Sequence, residues 1–311
     1  MVPGPIVTEA RSSAEPAIPG LTPLLKRRLR TLFKLLTALS PALAARIAMR
    51  LFTRPRPRPI EPDDRAFLDA AHSRWFTSTA GRVRIYEWPA DGGAADAPAA
   101  LIVHGWRSNS ARLRKIIDAL RARRLRVAAF DAPGHGRSPG HQLDLETYRE
   151  LIAAVAGDCG PAQAVVAHSF GALATLSWLA DGPRTAPLRA AALIGIPRGV
   201  AFLFDTFAAV MALPPTAIER MRRLFRRRYG RDPDSYRAVE MATRVQMPAV
   251  LVHGGADELV PAAHSEEVAG SLKRSQLHLF PTLTHGGTLR DPRAVSLVAD
   301  FIADQLAACR P

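Results

Sequence analysis

The chain has 311 residues, 48% of them hydrophobic, which is enough to bury one core of the size found in α/β proteins. Its formal net charge is +14, and residues 1–60 hold eleven Lys and Arg residues against two acidic ones, a net charge of +9. Two cysteines exclude a disulfide framework and favour a reducing compartment, so we expect a cytoplasmic protein.

Other classes of protein are excluded by what the sequence lacks. No uncharged apolar run approaches the ~20 residues of a transmembrane helix. The strong positive charge would suit nucleic acid, but no DNA- or RNA-binding signature is present, and the aromatic residues do not interleave with the charges. The nine histidines show no metal-ligand spacing. We therefore predict no nucleic-acid partner, no metal and no cofactor.

The N-terminal region divides into three predicted parts. Residues 1–20 are rich in Pro, Ser and Ala without periodicity, which predicts a disordered tail. Residues 21–60 form a basic amphipathic helical extension that ends in alternating Arg and Pro over residues 54–59, a pattern typical of a stiff linker. The main domain is expected over residues 61–311.

Two helical segments are predicted within the extension. The first covers residues 22–39, with Thr22 as the N-cap and Pro23 in the first turn. Pro41 breaks or restarts the helix, which continues to Phe52. The first segment is amphipathic, with Leu25, Leu29, Leu32, Phe33 and Leu36 opposite Lys26, Arg27, Arg30 and Lys34.

Three interpretations of this extension stay open. The apolar stripe can pack on the main domain and support a lid. It can instead make peripheral contact with an anionic membrane surface through residues 22–53. It can also be a secretory signal that is cleaved near residues 42–44, although Lys34 and Pro41 interrupt the apolar stretch.

From residue 99 onward, apolar strand-like runs alternate with helical patterns, which predicts an α/β fold with a doubly wound, mainly parallel sheet. One predicted strand, residues 100–103, is followed by His104-Gly105-Trp106. A helix is predicted over residues 110–123, with its apolar residues on one face. A second loop with several small residues covers residues 130–138.

Ser169 lies between a predicted buried strand and a predicted helix. Ala167 and Gly171 flank it two residues away on each side, so strand and helix can approach closely through a tight turn. Such a turn places the serine hydroxyl at a helix N-terminus, where free N–H groups favour a developing oxyanion. The usual pattern is G-x-S-x-G, and Ala167 replaces its first glycine.

Two further polar residues follow predicted strands. Asp257 comes after the strand over residues 249–254, and His285 comes after the strand that ends at Phe280. Binding sites in open α/β sheets form at this edge of the strands. A serine hydroxyl needs a base to act as a nucleophile, and a histidine oriented by a carboxylate supplies one. The acidic neighbour Glu258 is the alternative carboxylate.

At these segments the chain resembles the α/β-hydrolase family, from about Val83 to Leu306. The resemblance implies the α/β-hydrolase fold, with Ser169 as nucleophile, His285 as general acid and base and Asp257 as its partner. The oxyanion hole is expected from the backbone amides of Trp106 and Phe170.

The serine nucleophile implies attack on an acyl carbonyl of a small-molecule substrate, most simply a carboxylic ester or thioester, through an acyl-enzyme. Acyl transfer to an alcohol and hydrolysis of a C–C bond by the same three residues remain alternatives. So does a catalytically silent binding protein that keeps only the fold.

The remaining histidines have structural interpretations. His104 and His135 are expected to brace the loops at the rim of the site by hydrogen bonds. His168 is expected to point away from the nucleophile, and His253 to end a buried strand.

A helical cap is predicted at about residues 197–247. Its apolar part, residues 202–213, either lines an acyl pocket or simply packs on the core. Its arginines either lie on a solvated helix face or attract an acidic substrate or a phosphate-bearing carrier. They are Arg220, Arg222, Arg223, Arg226, Arg227 and Arg228.

Overall fold

A computed structural model describes residues 22–56, 58–93, 97–160, 162–182 and 186–308. The predicted disordered tail, residues 1–20, lies outside the described residues, as does Cys309.

Eight strands form one sheet in the order β1-β2-β4-β3-β5-β6-β7-β8. The first two neighbouring pairs, β1 with β2 and β2 with β4, are antiparallel, and every other pair is parallel. The predicted doubly wound, mainly parallel sheet is confirmed. The strands are His72–Ser78 (β1), Gly81–Trp88 (β2), Ala99–Val103 (β3), Arg126–Asp131 (β4), Ala162–His168 (β5), Ala190–Ile194 (β6), Ala249–Gly254 (β7) and Ser275–Phe280 (β8).

Helices cover both faces of this sheet. They are Pro23–Leu39 (α1), Pro41–Phe52 (α2), Pro62–Asp69 (α3), Arg114–Ala122 (α4), Leu145–Asp158 (α5), Phe170–Asp181 (α6), Val200–Met211 (α7), Pro215–Tyr229 (α8), Ala238–Ala242 (α9), Ala263–Ser271 (α10) and Pro292–Ala307 (α11). Short 3₁₀ helices occupy Ser110–Leu113 and Pro233–Ser235.

The central strands are buried on both faces, as their nearly continuous apolar sequences require. Alternate residues of β5 enter separate cores: Val165 and Ala167 pack on the side of α5 and α6, whereas Ala164 and Val166 pack on the side of α4 and α11. This arrangement holds the ends of β3, β5, β6 and β7 at one edge of the sheet.

The helix expected over residues 110–123 begins one turn late. Residues Ser110–Leu113 form a 3₁₀ turn that the side chain of Asn109 caps, and α4 starts only at Arg114. The carboxylate of Asp131 accepts hydrogen bonds from both the backbone and the hydroxyl of Ser110. This tertiary contact fixes the tighter turn.

The N-terminal extension packs on the rest of the chain. Thr22 and Ser40 cap α1 and α2 with side-chain hydrogen bonds, and a proline opens each helix. Phe33 is fully buried, and Ala44, Ala45 and Ala48 pack beside it in the main core. The main core therefore covers the side of α1 that carries Phe33.

The cap consists mainly of α7 and α8, and the extension packs directly on it. The Phe52 ring at the end of α2 meets the rings of Phe204 and Phe207 edge to face, each at a centroid distance of 5.4 Å. Cap and extension thus form one apolar layer. No helix in the described ranges has the length and apolar character that crossing a membrane requires.

Candidate active site

Ser169 occupies a strained turn between β5 and α6. Its backbone has φ 56° and ψ −123°, a conformation that side-chain-bearing residues rarely adopt. The amide of Ser169 donates to the carbonyl of Ile194 at 2.8 Å, which ties the turn to the end of β6. A Cβ at Gly171 would lie 2.2 Å from the carbonyl oxygen of His104, so only glycine allows α6 to approach β3 this closely.

Ala167, which replaces the usual first glycine of the serine motif, fits without disturbance. It is buried within β5, in register with Val103 of β3 and Leu193 of β6. The methyl group packs in the core, and the turn begins only after His168. The substitution therefore leaves the serine turn intact.

Asp257 and His285 form a close pair at the same edge of the sheet. Oδ2 of Asp257 lies 2.6 Å from Nδ1 of His285, while Oδ1 accepts the amides of Leu259 at 2.8 Å and Val260 at 2.9 Å. Burial opposes ionisation of Asp257, but hydrogen bonds from His253 and His285 outweigh it and hold its pKa well below the usual value. An ionised Asp257 fixes the Nδ1–H tautomer of His285 and leaves Nε2 as the proton acceptor.

His253 also supports Asp257, a role that the sequence did not suggest. Its Nε2 lies 3.2 Å from Oδ2 of Asp257 and 2.9 Å from the carbonyl of Val260, while Nδ1 pairs with the hydroxyl of Ser265 at 2.6 Å. The residue does end a buried strand, as predicted. Its position four residues before Asp257 was the available signal, but only the loop fold shows that the side chains meet.

Close backbone approaches bring the serine and histidine loops together. A Cβ at Gly195, which follows the Ile194 partner of Ser169, would lie 3.1 Å from Cε1 of His285. A Cβ at Gly105 would lie 3.0 Å from Cβ of Ser169. Ser169 and His285 line the same cavity. The structure thus gathers the predicted residues at one site.

The two predicted oxyanion donors lie beside the serine. Phe170 is the first residue of α6, so its N–H belongs to the four that a helix leaves without an internal acceptor. Trp106 follows Gly105, whose backbone touches Ser169, and the Trp106 ring meets that of Phe170 edge to face at 5.5 Å. The backbone of Arg107 has φ 56°, which turns the chain sharply after Trp106.

His104 and His135 brace this loop by hydrogen bonds, as expected. Nε2 of His135 accepts the amide of Arg107 at 3.0 Å, and Nε2 of His104 accepts the amide of Ala132 at 3.0 Å. Burial lowers the pKa of His104 to about 4 and that of His135 to about 3. Both rings are neutral at pH 7, as acceptance at Nε2 requires.

His168, which was expected to point away from the nucleophile and to have a structural role, packs against His285. Its ring lies 4.6 Å from the ring of His285, and its Nε2–H donates to the carbonyl of His285 at 3.2 Å. Burial first, and then the neighbouring His285, lower the pKa of His168 far below its usual value. Alternation along β5 puts His168 on the same side of the sheet as Ala164 and Val166, the side of α4 and α11.

A cavity of about 490 Å³ opens over these residues. Its walls come from the sheet edge, the cap and the N-terminal extension together. The predicted apolar stretch of the cap is divided: Phe202, Leu203, Phe207 and Met211 line the cavity, whereas Phe204 and Val210 are buried in the core. The extension contributes Leu29, Leu51 and Phe52 to the lining. One wall is thus broadly apolar, as an acyl pocket requires.

The arginines of α8 face other partners. Arg222 pairs with Asp232 at 3.0 Å and Asp234 at 2.8 Å, and Arg226 pairs with Asp232 at 2.8 Å. Arg228 reaches Asp144 at 3.3 Å. In the part of the chain that the structure describes, the cavity lining includes none of the arginines of α8. The proposal that they attract an acidic substrate has no support here.

No three His, Cys, Asp or Glu side chains of the described residues are grouped as metal binding would require. Cys159 is a buried free thiol, and burial raises its pKa to about 12. It is therefore unsuited to nucleophilic chemistry.

A comparison with family models shows which family the chain belongs to. The model of the Alpha/beta hydrolase family matches residues 100–295. The chain is a member of the α/β-hydrolase family. The predicted family is thereby confirmed, together with its fold.

Individual relatives of this α/β hydrolase are distant. Pimeloyl-[acyl-carrier protein] methyl ester esterase of Vibrio atlanticus (strain LGP32) is 26% identical, over 60% of this chain and 87% of its own. Serine hydrolase BPHL of Homo sapiens is 39% identical, but the match covers only 21% of this chain and 22% of that protein. The chain therefore spans less than a quarter of the length of BPHL.

Among solved structures, Est1E from Butyrivibrio proteoclasticus superposes with a TM-score of 0.60 at 16% identity, covering 76% of this chain and 99% of Est1E. Esterase Pf2001 of Pyrococcus furiosus gives a TM-score of 0.58 at 19% identity, over 82% and 96% of the two chains. At such identities the likeness establishes the fold.

Proposed function

We propose that this α/β hydrolase is a serine hydrolase that cleaves a carboxylic ester or thioester. The observation that carries the proposal is the 2.6 Å contact between Asp257 and His285, in a cavity that Ser169 also lines from a strained turn. Ester-cleaving relatives such as the Vibrio methyl ester esterase support the choice of bond.

In the proposed reaction, Oγ of Ser169 attacks the acyl carbonyl while Nε2 of His285 takes the hydroxyl proton. The amides of Trp106 and Phe170 hold the oxyanion of the tetrahedral intermediate. His285 returns the proton to the leaving alcohol or thiol, which leaves an acyl-enzyme. Water then attacks the acyl group while His285 accepts its proton. As this second intermediate collapses, His285 returns the proton to Oγ of Ser169 and the carboxylic acid is released.

Asp257 serves this cycle through electrostatics. Its carboxylate stabilises the imidazolium that forms at each proton transfer and keeps the imidazole oriented. The hydrogen bonds from Leu259, Val260 and His253 hold the carboxylate in place. Glu258 carries none of these contacts and is exposed, which favours Asp257 as the acid.

A fluorescent fluorophosphonate tests the proposal, because it labels only an activated serine. We expect the wild-type protein to be labelled and the Ser169→Ala variant to remain unlabelled. A series of p-nitrophenyl esters of rising chain length then reports which acyl group fits the cavity.

Serine residues outside the site provide the matched control. Ser275→Ala, at an exposed position of β8, should leave labelling unchanged. A folded wild-type protein that takes no label and cleaves no ester would refute the proposal and favour a catalytically silent binding protein.

A further inference from the structure

The Arg-Pro segment, which the sequence predicts to be a stiff linker, lies at the cavity instead. Arg54, Arg56 and Arg58 all belong to the lining. The carbonyl of Thr53 accepts the amide of Leu143 at 2.8 Å, and the carbonyl of Arg56 accepts Nε of Arg107 at 2.8 Å. Arg107 directly follows Trp106, so the Arg-Pro segment is anchored to the proposed oxyanion loop.

Five arginines line this wall of the cavity: Arg54, Arg56 and Arg58, which are exposed, and Arg107 and Arg112, which are partly buried. Arg112 is half-buried, and burial together with the nearby Arg290 and Arg58 lowers its pKa. In the described ranges of the chain, the side chains of Arg54, Arg58 and Arg112 form no ion pair. Like charges repel one another, most strongly where burial removes water, as at Arg112, and this repulsion is relieved when an anion binds.

The carboxylates of the same cavity are already paired with other cations. Asp64 pairs with Arg114 at 2.5 Å, Glu146 with Arg149 at 2.5 Å, and Asp144 with Arg228 at 3.3 Å. None of these three arginines lines the cavity within the described residues. Only Glu61 remains as a lining carboxylate without an ion pair in the described part of the chain, so the wall keeps a strong positive charge.

We propose that this arginine wall binds a phosphate group of the substrate, so that the natural substrate is an acyl ester or thioester that carries phosphate. The proposal rests on the proposed function. Several convergent guanidinium forks match phosphate oxygens better than a single carboxylate, because each fork donates two parallel hydrogen bonds. The apolar wall would hold the acyl chain while the arginines hold the phosphate.

Matched substrate pairs test this inference. Octanoyl coenzyme A is compared with the octanoyl thioester of N-acetylcysteamine, which lacks phosphate. 1-Octanoyl-lysophosphatidic acid is compared with 1-octanoylglycerol, so that the two pairs distinguish a nucleotide carrier from a lipid source. We expect kcat/KM in at least one pair to favour the phosphate-bearing member by tenfold or more.

Arg58→Gln and Arg112→Gln should each lower this preference by about tenfold, through loss of charge-assisted hydrogen bonds. Neither variant breaks an ion pair of the described residues, so we expect both to fold, which thermal unfolding checks. Arg223→Gln, on the exposed face of α8, removes the same charge outside the cavity and should leave the preference unchanged.

The outcomes separate this inference from the proposed function. Hydrolysis of the phosphate-free members at equal or higher kcat/KM would refute phosphate binding by the arginine wall. The proposal that the protein is a serine hydrolase would be unaffected. Loss of all hydrolysis and of fluorophosphonate labelling would instead refute the proposed function. In that case, calorimetric titration of the Ser169→Ala variant with coenzyme A still tests binding, and Arg112→Gln should weaken it about tenfold.

A second inference rests on a different surface. The described residues expose seven large hydrophobic side chains, and five of them lie within residues 24–43. Leu24, Leu32, Leu35 and Leu39 share one face of α1, and Leu39 is 84% exposed. Leu43 of α2 is exposed as well. The opposite side of α1 is occupied by Phe33, which is buried in the core.

Cations lie within and beside the leucine face: helical spacing places Arg28 among its leucines and Arg27 and Lys34 to one side. Arg27, Arg28 and Lys34 on α1 and Arg46 and Arg50 on α2 are exposed. A row of leucines that includes one basic residue and has others beside it fits an anionic lipid surface, where leucines enter the acyl boundary and cations meet the headgroups. We propose that α1 docks on such a surface. Leu29 of the same helix lines the cavity, so docking would bring the cavity close to the lipid.

Co-sedimentation with phosphatidylglycerol vesicles tests the docking. We expect the full chain to bind these vesicles, to bind phosphatidylcholine vesicles weakly, and to lose binding at least tenfold in the Leu35→Glu/Leu39→Glu variant. Leu279→Glu, at an exposed position of β8, is the matched control. Binding that ignores lipid charge, or a chain that forms a dimer through this face in analytical ultracentrifugation, would contradict the proposal.

Discussion

The two sides of the cavity differ in how they are built. The cavity floor, which carries Ser169, Asp257 and His285, consists of short loops after β5, β7 and β8. The cavity roof consists of α1, α2 and the Arg-Pro segment together with α7 and α8. Short motifs define the floor, whereas the roof forms only when segments more than a hundred residues apart pack together. The proposed chemistry thus lies at the ends of the strands, and the proposed recognition surfaces lie on the layer above them.

The largest expected effect concerns the floor. Asp257→Asn should lower kcat on a p-nitrophenyl ester by on the order of 10⁴-fold, because the amide cannot stabilise the imidazolium or enforce the Nδ1–H tautomer. Steady-state kinetics with a protein of unchanged thermal stability measure this loss.

Glu258→Gln is the matched control, since it neutralises the adjacent carboxylate. It should change kcat by less than about threefold, because surface substitutions away from such contacts have small effects. If the two variants lost activity equally, the assignment of the acid would be wrong.

The next prediction tests whether α1, which is part of the cavity roof, unfolds together with the rest of the domain. Phe33 is fully buried in the main core, so Phe33→Ala should lower the free energy of unfolding by about 3–5 kcal/mol. Urea denaturation followed by circular dichroism measures the change.

Leu35→Ala, on the same helix but 60% exposed, should stay within about 0.5 kcal/mol of wild type. An α1 that unfolded separately, without any change in the main transition for Phe33→Ala, would show that the roof is detachable from the floor.

The smallest expected effect is the change in folding stability as the pH is lowered. His264 is buried and its pKa is lowered to about 4, first by burial and then by Arg198, whereas an unfolded histidine titrates near 6.5. Between these values only the unfolded chain binds the proton, so stability falls as the pH is lowered, by about 1.4 kcal/mol per pH unit for each such histidine. His104 and His135 act in the same direction.

Urea denaturation at pH 6.5, 5.5 and 4.5 measures this slope. His264→Gln should reduce it by about 1.4 kcal/mol per pH unit. His141→Gln, at an exposed position, should leave the slope unchanged. An unaltered slope in His264→Gln would mean that His264 binds its proton equally in both states.

Much of the floor was predictable because its signals are local. The flanking small residues of Ser169 and the apolar strands before Asp257 and His285 specify tight turns at the ends of strands, and parallel strands bring those ends together. The contact of His168 with His285 was not predicted, because it depends on where the loop after β8 places His285. His253 was missed because its contact with Asp257 depends on the path of the loop between them.

The sequence by itself determined the α/β class and the alternation of strands and helices from residue 99 onward, and it pointed to the proposed catalytic residues, because periodicity and turn chemistry act over a few residues. Only the tertiary structure decided where the amphipathic and charged segments lie. An apolar stripe on a helix indicates that the helix is covered, but it does not indicate which surface covers it. On α1, Phe33 is buried in the core, whereas Leu35 is exposed. The sequence of an arginine-proline segment likewise does not specify where the segment lies in the fold. The hydrogen bond from Arg107 to the carbonyl of Arg56 places it beside the site.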